Sequence, residues 1–156
     1  MRNNYRFYSF VAGLYLSPIQ CGIQTAHAVS EMSIQQLHHD AYQEWAEQDK
    51  VLIVCQAVNH AGVMSAYEQL QFFGEALSLP VTVFFEDEQS MNSMATAAGI
   101  IVPEIYHSAK AVRIPNIDEI IACQFTSDED PSQNYTFHKG DKAFAFIEFL
   151  KSYRLA

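Results

Sequence analysis

The chain has 156 residues, the size of one domain that buries roughly two thirds of its unfolded surface. Hydrophobic residues make up 49% of it and charged residues 17%, which excludes an intrinsically disordered chain. Its 18 acidic and 9 basic residues give a formal charge of -9. The average field therefore repels phosphate, which argues against non-specific nucleic-acid binding.

The N-terminal part of the chain predicts a strand that leads directly into a helix. Residues 5–17 are aromatic and β-branched and predict a central strand. Ser17 is expected to cap the following helix, with Pro18 at its first position, where a missing N–H costs nothing. This helix is predicted over about residues 18–32, with Ile19, Ile23 and Ala26 on one face.

A second helix and a second strand are predicted next. Ser33 is expected to cap the helix, in which Ile34, Leu37, Ala41 and Trp45 recur at spacings of three and four until about Asp49. The five apolar residues 51–55 are too few for a helix and predict a strand that is covered on both faces.

The middle of the chain predicts a third helix, a third strand and a short fourth helix. Asn59 is a candidate cap for a helix that ends near Leu79, before Pro80. Residues 81–85 are β-branched and aromatic and predict a strand. Asp87 is expected to cap a short helix that passes through Ala98 and ends at Gly99.

The last third predicts one strand and one helix after an irregular segment. Residues 100–118 show no sustained period, so residues 88–118 are interpreted as an insertion. Residues 120–125 predict the fourth strand, residues 127–134 a polar loop, and Gly140-Asp141 the start of the last helix. Together these elements predict one domain over residues 1–156. Its predicted fold class is α/β and three-layer, with a four-stranded mixed or mostly parallel sheet and helices on both faces.

Cysteine and histidine spacing predicts neither a metal site nor a cofactor. Cys21, Cys55 and Cys123 are far apart in the sequence and flanked by apolar residues, which indicates buried free thiols in a reducing compartment. The six histidines show no His-x-x-x-His spacing. The sequence also lacks a Gly-x-Ser-x-Gly elbow and a glycine loop that could hold phosphate.

The N-terminus admits two interpretations of localisation. Arg2 and Arg6 precede a short apolar run, and residues 26–28, Ala-His-Ala, resemble a cleavage site. Pro18 and two glutamines interrupt this pattern, so a cytoplasmic protein is expected. A small periplasmic protein is the alternative if residues 1–28 are removed. No apolar run approaches the ~18 residues of a membrane-spanning helix, so no association with membranes is expected.

One motif carries a resemblance to a known family. Residues 20–29, Gln-Cys-Gly-Ile-Gln-Thr-Ala-His-Ala-Val, directly follow the first predicted strand. They resemble the Lys-x-x-x-Gln-x-Ala-His-Ala pattern of the type 2 peptidyl-tRNA hydrolases. Other features also follow the order found in that family: a Trp before strand two, Leu-Pro-Val at strand three, and a closing strand and helix. The resemblance covers about two thirds of the chain.

The resemblance implies five candidate catalytic residues. Gln24 and His27 match the family's motif, whereas Gln20 occupies the position of its functional lysine. Glu86 and Ser90 have the spacing of the family's Asp-x-x-x-Thr pattern after strand three. The implied reaction is hydrolysis of the ester of peptidyl-tRNA. In it, a carboxylate and a hydroxyl orient water, and backbone N–H groups of the first helix accept negative charge.

Two function classes follow from these residues. An enzyme with tRNA as its substrate needs basic surface, for which Lys139 and Lys142, with Lys151 and Arg154, form the candidate cluster. These same lysines could instead only solubilise the last helix. The alternative function is a catalytically inactive module of the same fold that binds a protein or a small ligand, with negative potential around the groove and an exposed apolar patch. A homodimer is a further possibility.

Overall fold

The computed structural model describes residues 2–13, 17–86 and 94–156 and has a mixed α/β fold. Its larger sheet contains four strands in the order β2-β1-β4-β3. Their bounds are Arg6–Val11 for β1, Val51–Gln56 for β2, Val81–Phe85 for β3 and Ala95–Val102 for β4. β1 and β2 are parallel, whereas β4 is antiparallel to both β1 and β3. The predicted mixed four-stranded sheet is thus confirmed, and β1 is an interior strand as expected.

The fourth strand of this sheet is a segment that the sequence predicted to be helical. The short helix expected to end at Gly99 is wrong over residues 95–99, because β4 occupies Ala95–Val102 and every one of its residues is buried. The cap expected for it, Asp87, lies outside the described residues. A strand with two covered faces shows no alternation of polar and apolar residues, so its period does not reveal it. Gly99 is therefore a strand residue and not a helix cap. The absence of a side chain matters at this position, because a Cβ atom there would lie 2.5 Å from the Phe7 ring.

Three helices accompany the larger sheet. Helix α1 spans Pro18–Gln35, α2 spans Asp40–Glu44 and continues as a π-helix over Trp45–Asp49, and α3 spans His60–Leu77. The predicted cap at Ser33 is wrong, because Ser33 lies inside α1 and its hydroxyl donates to the carbonyl of Ser30. His39 caps α2 instead. The predicted cap of α3 is confirmed, since Asn59 Oδ1 accepts from Gly62 N at 2.8 Å.

Alternate residues of β1 belong to two different hydrophobic cores. Tyr8 and Phe10 belong to the first core, which also includes Val63, Ala66, Leu70 and Phe73 of α3. Phe7 and Val11 belong to the second core, which also includes Cys21, Ala28, Met32, Ala41 and Trp45. Because neighbouring side chains of a strand point in opposite directions, α1 and α3 pack against different sets of β1 side chains.

Strand β2 is less covered than the sequence suggested. Val51 and Leu52 are 43% and 45% exposed, so the prediction of a strand covered on both faces is wrong. β2 is an edge strand of the larger sheet, and the C-terminal residues pair with it. Gln56 N donates to Arg154 O and Ala156 N donates to Val54 O, each at 2.8 Å. The last residues of the chain thus satisfy backbone groups along the outer side of β2.

A second sheet lies in the C-terminal third of the chain. It is antiparallel in the order β5-β6-β7, with β5 at Lys110–Arg113, β6 at Ile120–Phe125 and β7 at Tyr135–His138. The strand predicted over residues 120–125 therefore exists but belongs to this sheet. The segment predicted to be irregular contains the end of β4, helix α4 at Glu104–His107 and β5.

Helix α5, at Lys142–Lys151, packs against both the first core and the second sheet. Phe146, Phe149 and Leu150 belong to the first core. Phe144 and Ile147 form a third core with residues of β6. The predicted start of this helix is confirmed, because Asp141 is its N-cap residue. Apolar residues on two sides explain why this short helix is largely buried.

The three cysteines are buried free thiols, as predicted. Burial raises the pKa of the Cys55 thiol to about 11, so this thiol stays protonated at neutral pH. Among the residues that the structure describes, no helix has both the length and the apolar character that crossing a membrane requires.

Two glycine substitutions test the packing around β4. We expect Gly99→Ala to lower the free energy of unfolding by about 1–3 kcal/mol, because its Cβ would overlap the buried Phe7 ring. Gly22→Ala is the matched control. Gly22 lies in α1 with nothing within 4 Å of the new Cβ, so its replacement should raise that free energy by about 0.5–1 kcal/mol. Denaturant unfolding measures the stability of both variants. If Gly99→Ala were as stable as Gly22→Ala, the close contact between Gly99 and the Phe7 ring would be contradicted.

Candidate functional site

The start of α1 is a closed capping box. Ser17 Oγ accepts from Gln20 N at 3.2 Å, and Gln20 Oε1 accepts from Ser17 N at 3.0 Å. Pro18 has no N–H, and Cys21 N donates to Ser17 O. Gln20, a predicted catalytic residue, is therefore an exposed capping residue. Among the residues that the structure describes, the N–H of Ile19 is the one first-turn donor that neither the capping box nor the helix occupies.

The buried face of α1 carries polar side chains. It consists of Cys21, Gln24, Thr25, Ala28 and Met32. Ile19 and Ile23, which the sequence places on one face with Ala26, do share a face, and it is the exposed one: these two side chains are 78% and 47% exposed. The polar residues can be buried because each has a partner: Thr25 Oγ1 and Ser9 Oγ of β1 are hydrogen-bonded at 3.0 Å.

The Gln24 side chain joins α1 to the ends of β3 and β4. Its Nε2 donates to Glu86 Oε1 at 2.8 Å, and its Oε1 accepts from Thr96 Oγ1 at 2.7 Å. A carboxylate can only accept, so the amide nitrogen must face Glu86. This buried amide therefore has one orientation and fixes the Glu86 carboxylate. We call Gln24, His27, Glu86 and Thr96 the Gln24 cluster.

A β-bulge directs Thr96 towards Gln24. Phe84 pairs with Ala97 and Phe85 pairs with Ala95, so Thr96 is the extra residue between these pairs. Ala97 belongs to the second core, against which α1 packs, and Thr96 bonds to α1 as well. Two consecutive residues of β4 thus face the same helix, which regular pleating does not allow.

His27 lies one helical turn after Gln24 and faces the same carboxylate. Its Nδ1 is 3.4 Å from Gln24 Oε1 and 3.9 Å from Glu86 Oε1. The imidazole packs on the Phe84 ring at a centroid distance of 4.4 Å, and its side chain is 40% exposed. The His27 ring is thus held next to a carboxylate while remaining accessible to solvent.

Glu86 is held by its backbone as well as by its side chain. Its N–H donates to Met94 O at 2.9 Å, directly after β3 ends. Ser90, the fifth predicted catalytic residue, lies outside the described residues. The structure thus brings together Gln24, His27 and Glu86, and it adds Thr96. Sequence reasoning missed Thr96 because its strand was predicted to be a helix.

The predicted substrate-binding lysines have other neighbours. Lys139 Nζ is 3.4 Å from Glu119 Oε1 at an exposed position. Lys142 Nζ lies 5.6 Å from the centre of the Phe72 ring, which belongs to α3. Within residues 2–13, 17–86 and 94–156, no hydrogen bond or ion pair links either lysine to the Gln24 cluster. The same residues contain no group of three His, Cys, Asp or Glu side chains that could hold a metal.

No family model matches this chain, and no curated protein matches it. Kinship with the type 2 peptidyl-tRNA hydrolases therefore stays a prediction that depends on the motif around Gln24 and His27. The catalytic roles of the cluster residues stay predictions as well.

Two threonine substitutions test the buried amide. We expect Thr96→Val to lower the free energy of unfolding by about 1–3 kcal/mol, because Gln24 Oε1 loses its buried donor. Thr136→Val is the matched control. Thr136 is an exposed strand residue of β7, so its replacement should change stability by less than about 0.5 kcal/mol. Thermal unfolding monitored by circular dichroism compares the two, and a neutral Thr96→Val would refute the importance of this bond.

Proposed function

We propose that the protein is a divergent relative of the type 2 peptidyl-tRNA hydrolases and that its Gln24 cluster hydrolyses an acyl ester. The observation that carries this proposal is the Glu86 carboxylate, which Gln24 Nε2 holds at 2.8 Å and which lies 3.9 Å from His27 Nδ1. An imidazole whose ring is next to a carboxylate is an arrangement that general acid–base catalysis can use.

In the proposed reaction His27 activates water. Nε2 of the neutral imidazole takes a proton from a water molecule as the water oxygen adds to the ester carbonyl. The imidazolium then gives this proton to the departing alkoxide, so that an acid and an alcohol are released. Glu86 stabilises the transient positive charge on the ring, because Oε1 lies on the Nδ1 side. Gln24 keeps the carboxylate in place.

Donors for the oxyanion are sparse among the described residues around the cluster, which indicates slow turnover. The capping box leaves one first-turn N–H of α1, that of Ile19, and Gln24 Nε2 is already bonded to Glu86. The chain also has a single basic residue, Lys50, between positions 7 and 109, the range that supplies every residue of the cluster. Donors aimed at the developing charge usually contribute most to catalysis.

The core contacts support a three-layer arrangement in which α1 and α2 cover one face of the larger sheet and α3 and α5 cover the other. The first and second cores contain alternate residues of β1, which point to opposite faces. Lys142, which contacts α3, then lies away from the Gln24 cluster. We therefore propose that the ester is small, although the kinship implies peptidyl-tRNA.

Kinetics with paired variants test this proposal. We expect His27→Asn to lower kcat/KM for an N-acetylated aminoacyl ester of adenosine by about 100-fold, because the general base is lost. Glu86→Gln should lower it by about tenfold, since the imidazolium loses its carboxylate. We also measure kcat/KM with an N-acetyl-aminoacyl-tRNA. It should be no higher than with the adenosine ester, because no cation in the cluster pairs with the tRNA backbone.

The controls for this experiment are His38→Asn and Glu75→Gln, which change exposed residues of the same types. Both should keep the parental kcat/KM. Absence of turnover by the parent chain would remove the enzymatic proposal. Turnover that survives in His27→Asn and Glu86→Gln would keep an esterase but assign its chemistry to other residues.

A second candidate function, a binding module, is favoured by the outer face of α1. We define this face by Ile19, Ile23, Ala26, Ser30 and Ile34, which recur at spacings of three and four and are all exposed. Ile19 and Ile34 are 78% and 70% exposed, and α1 contains one acidic residue, Glu31, and no Lys or Arg. Apolar patches of this kind mark interaction surfaces. In a chain of charge -9, an uncharged face also lets a second copy approach with the least repulsion.

Sedimentation velocity tests self-association through the outer face of α1. We expect a concentration-dependent dimer, and we expect Ile23→Glu to weaken it at least about tenfold, because two buried carboxylates would be left without partners. Val112→Glu in β5 is the control, since Val112 is exposed to a comparable degree and lies outside α1. A parent chain that stays monomeric up to high micromolar concentration would contradict the homodimer.

A further inference from the structure

A second group of reactive side chains lies at the end of α4, and it shares no residue with the Gln24 cluster. Ser108 Oγ is 2.8 Å from His107 Nδ1. The other ring nitrogen of His107, Nε2, is 2.7 Å from the backbone carbonyl of Asn4. A hydroxyl, an imidazole and a carbonyl therefore form one hydrogen-bonded chain.

The carbonyl of Asn4 fixes where the proton sits on the ring. A carbonyl can only accept, so Nε2 must carry a hydrogen and donate it. In the neutral ring Nδ1 then holds a lone pair and accepts the hydroxyl proton of Ser108. A hydroxyl that donates to an imidazole, with the imidazole oriented by a third group, is the arrangement of an activated serine nucleophile.

The surroundings of His107 favour the neutral ring. Burial lowers the pKa of His107 below its usual value, and the positive charge of Arg6 lowers it further, while the Asn4 backbone bond and Glu104 act in the opposite direction. Neutral His107 is the form that can accept a proton from Ser108. The ring is thus available as a base at neutral pH.

The N-terminal segment holds this group in place. Glu104 N donates to Asn3 O at 2.9 Å, and the Asn4 side chain donates to the Glu104 carboxylate. Asn4 itself has a φ of 48°, a left-handed conformation that is uncommon outside glycine. These contacts place the Asn4 carbonyl against His107 and join the start of β1 to α4.

Ser108 and His107 line a cavity of about 390 Å³. Its other lining residues include Tyr5, Arg6, Gln48 and Val51. Arg2 and Arg6 line this cavity together with the carboxylates of Asp49 and Glu104. Because Arg2 is paired with Asp49, Arg6 is the cation assigned to a developing oxyanion. The volume falls within the usual range for small-molecule sites.

We propose that this cavity is an acyl-transfer site in which Ser108 is the nucleophile, His107 is its general base and Arg6 stabilises the oxyanion, with a small acyl ester as the substrate. The site goes beyond the hydrolysis assigned to the Gln24 cluster, because the intermediate here is covalent and the residues are different.

The chemistry proceeds in two balanced steps. Ser108 Oγ attacks the acyl carbon while its proton moves to His107 Nδ1, and the departing alkoxide then takes this proton and leaves as an alcohol. Water next attacks the acyl-serine, again giving a proton to Nδ1, and Ser108 leaves with that proton. One ester and one water molecule become one carboxylic acid and one alcohol, and the serine is regenerated.

A fluorophosphonate probe on the full chain tests the nucleophile. Attack by Ser108 Oγ forms an O–P bond and expels fluoride, so intact mass and peptide mapping should locate one phosphonyl group on Ser108. Ser108→Ala should abolish labelling, and His107→Gln should slow it at least about 100-fold through loss of the base. Glu86→Gln should label at the parental rate, which separates this site from the Gln24 cluster.

Ser152 provides a matched control residue. Like Ser108 it is the C-cap residue of a helix, but its hydroxyl donates to the carbonyl of Phe149 instead of an imidazole. Ser152→Ala should leave labelling of Ser108 unchanged. In the parent chain the labelling rate should reach half its maximum below pH 6.5, the usual pKa of histidine, and level off above it, because the pKa of His107 is lowered and the neutral ring is the reactive form. Absence of labelling, equal labelling of Ser152, or a rate that climbs steadily through pH 8 would each overturn the proposal.

Discussion

Strand β4 must fit between two neighbouring strands while helices pack against it, and this requirement governs the rest of the fold. All eight of its residues are buried, and five of them are Ala, Thr or Gly. Small side chains let α1 and α3 approach the sheet closely, and Gly99 leaves room for the Phe7 ring of β1. Without β4, β1 and β3 would have no common partner.

The site follows from an irregularity in that same strand. The bulge at Thr96 places a hydroxyl beside α1, and a buried hydroxyl there needs a polar partner on the helix. Gln24 supplies it and has one amide hydrogen-bonding group left over, which Glu86 satisfies. The same Gln24 amide that pairs with the buried Thr96 hydroxyl thus also holds the Glu86 carboxylate next to His27. Packing and candidate chemistry therefore depend on the same amide.

Much of the fold could be predicted from local signals, but the central strand could not. Ser17, Pro18 and Asn59 mark helix starts by their own capping chemistry, and the apolar runs of β2 and β3 are short enough to exclude helices. Residues 95–99, Ala-Thr-Ala-Ala-Gly, favour a helix locally, and the tertiary contacts of β4 override that preference. Within the site, the motif indicated Gln24 and His27, and spacing indicated Glu86. The bond of Thr96 to Gln24 and the bond of His107 to the Asn4 carbonyl join distant segments, so no local pattern contains them.

The distribution of positive charge separates the two candidate sites. Ester hydrolysis builds negative charge on the carbonyl oxygen, and that charge needs donors or a cation in a place where water is excluded. Residues 7–109 contain one basic residue, Lys50, so the described part of the Gln24 cluster has an acid–base pair but little to stabilise an oxyanion. The cavity beside α4 combines a base with Arg6, which lines the same cavity and whose positive charge acts on His107. The proposed covalent route at Ser108 therefore has Arg6 to stabilise the oxyanion, whereas the Gln24 cluster should depend more strongly on what its ligand contributes.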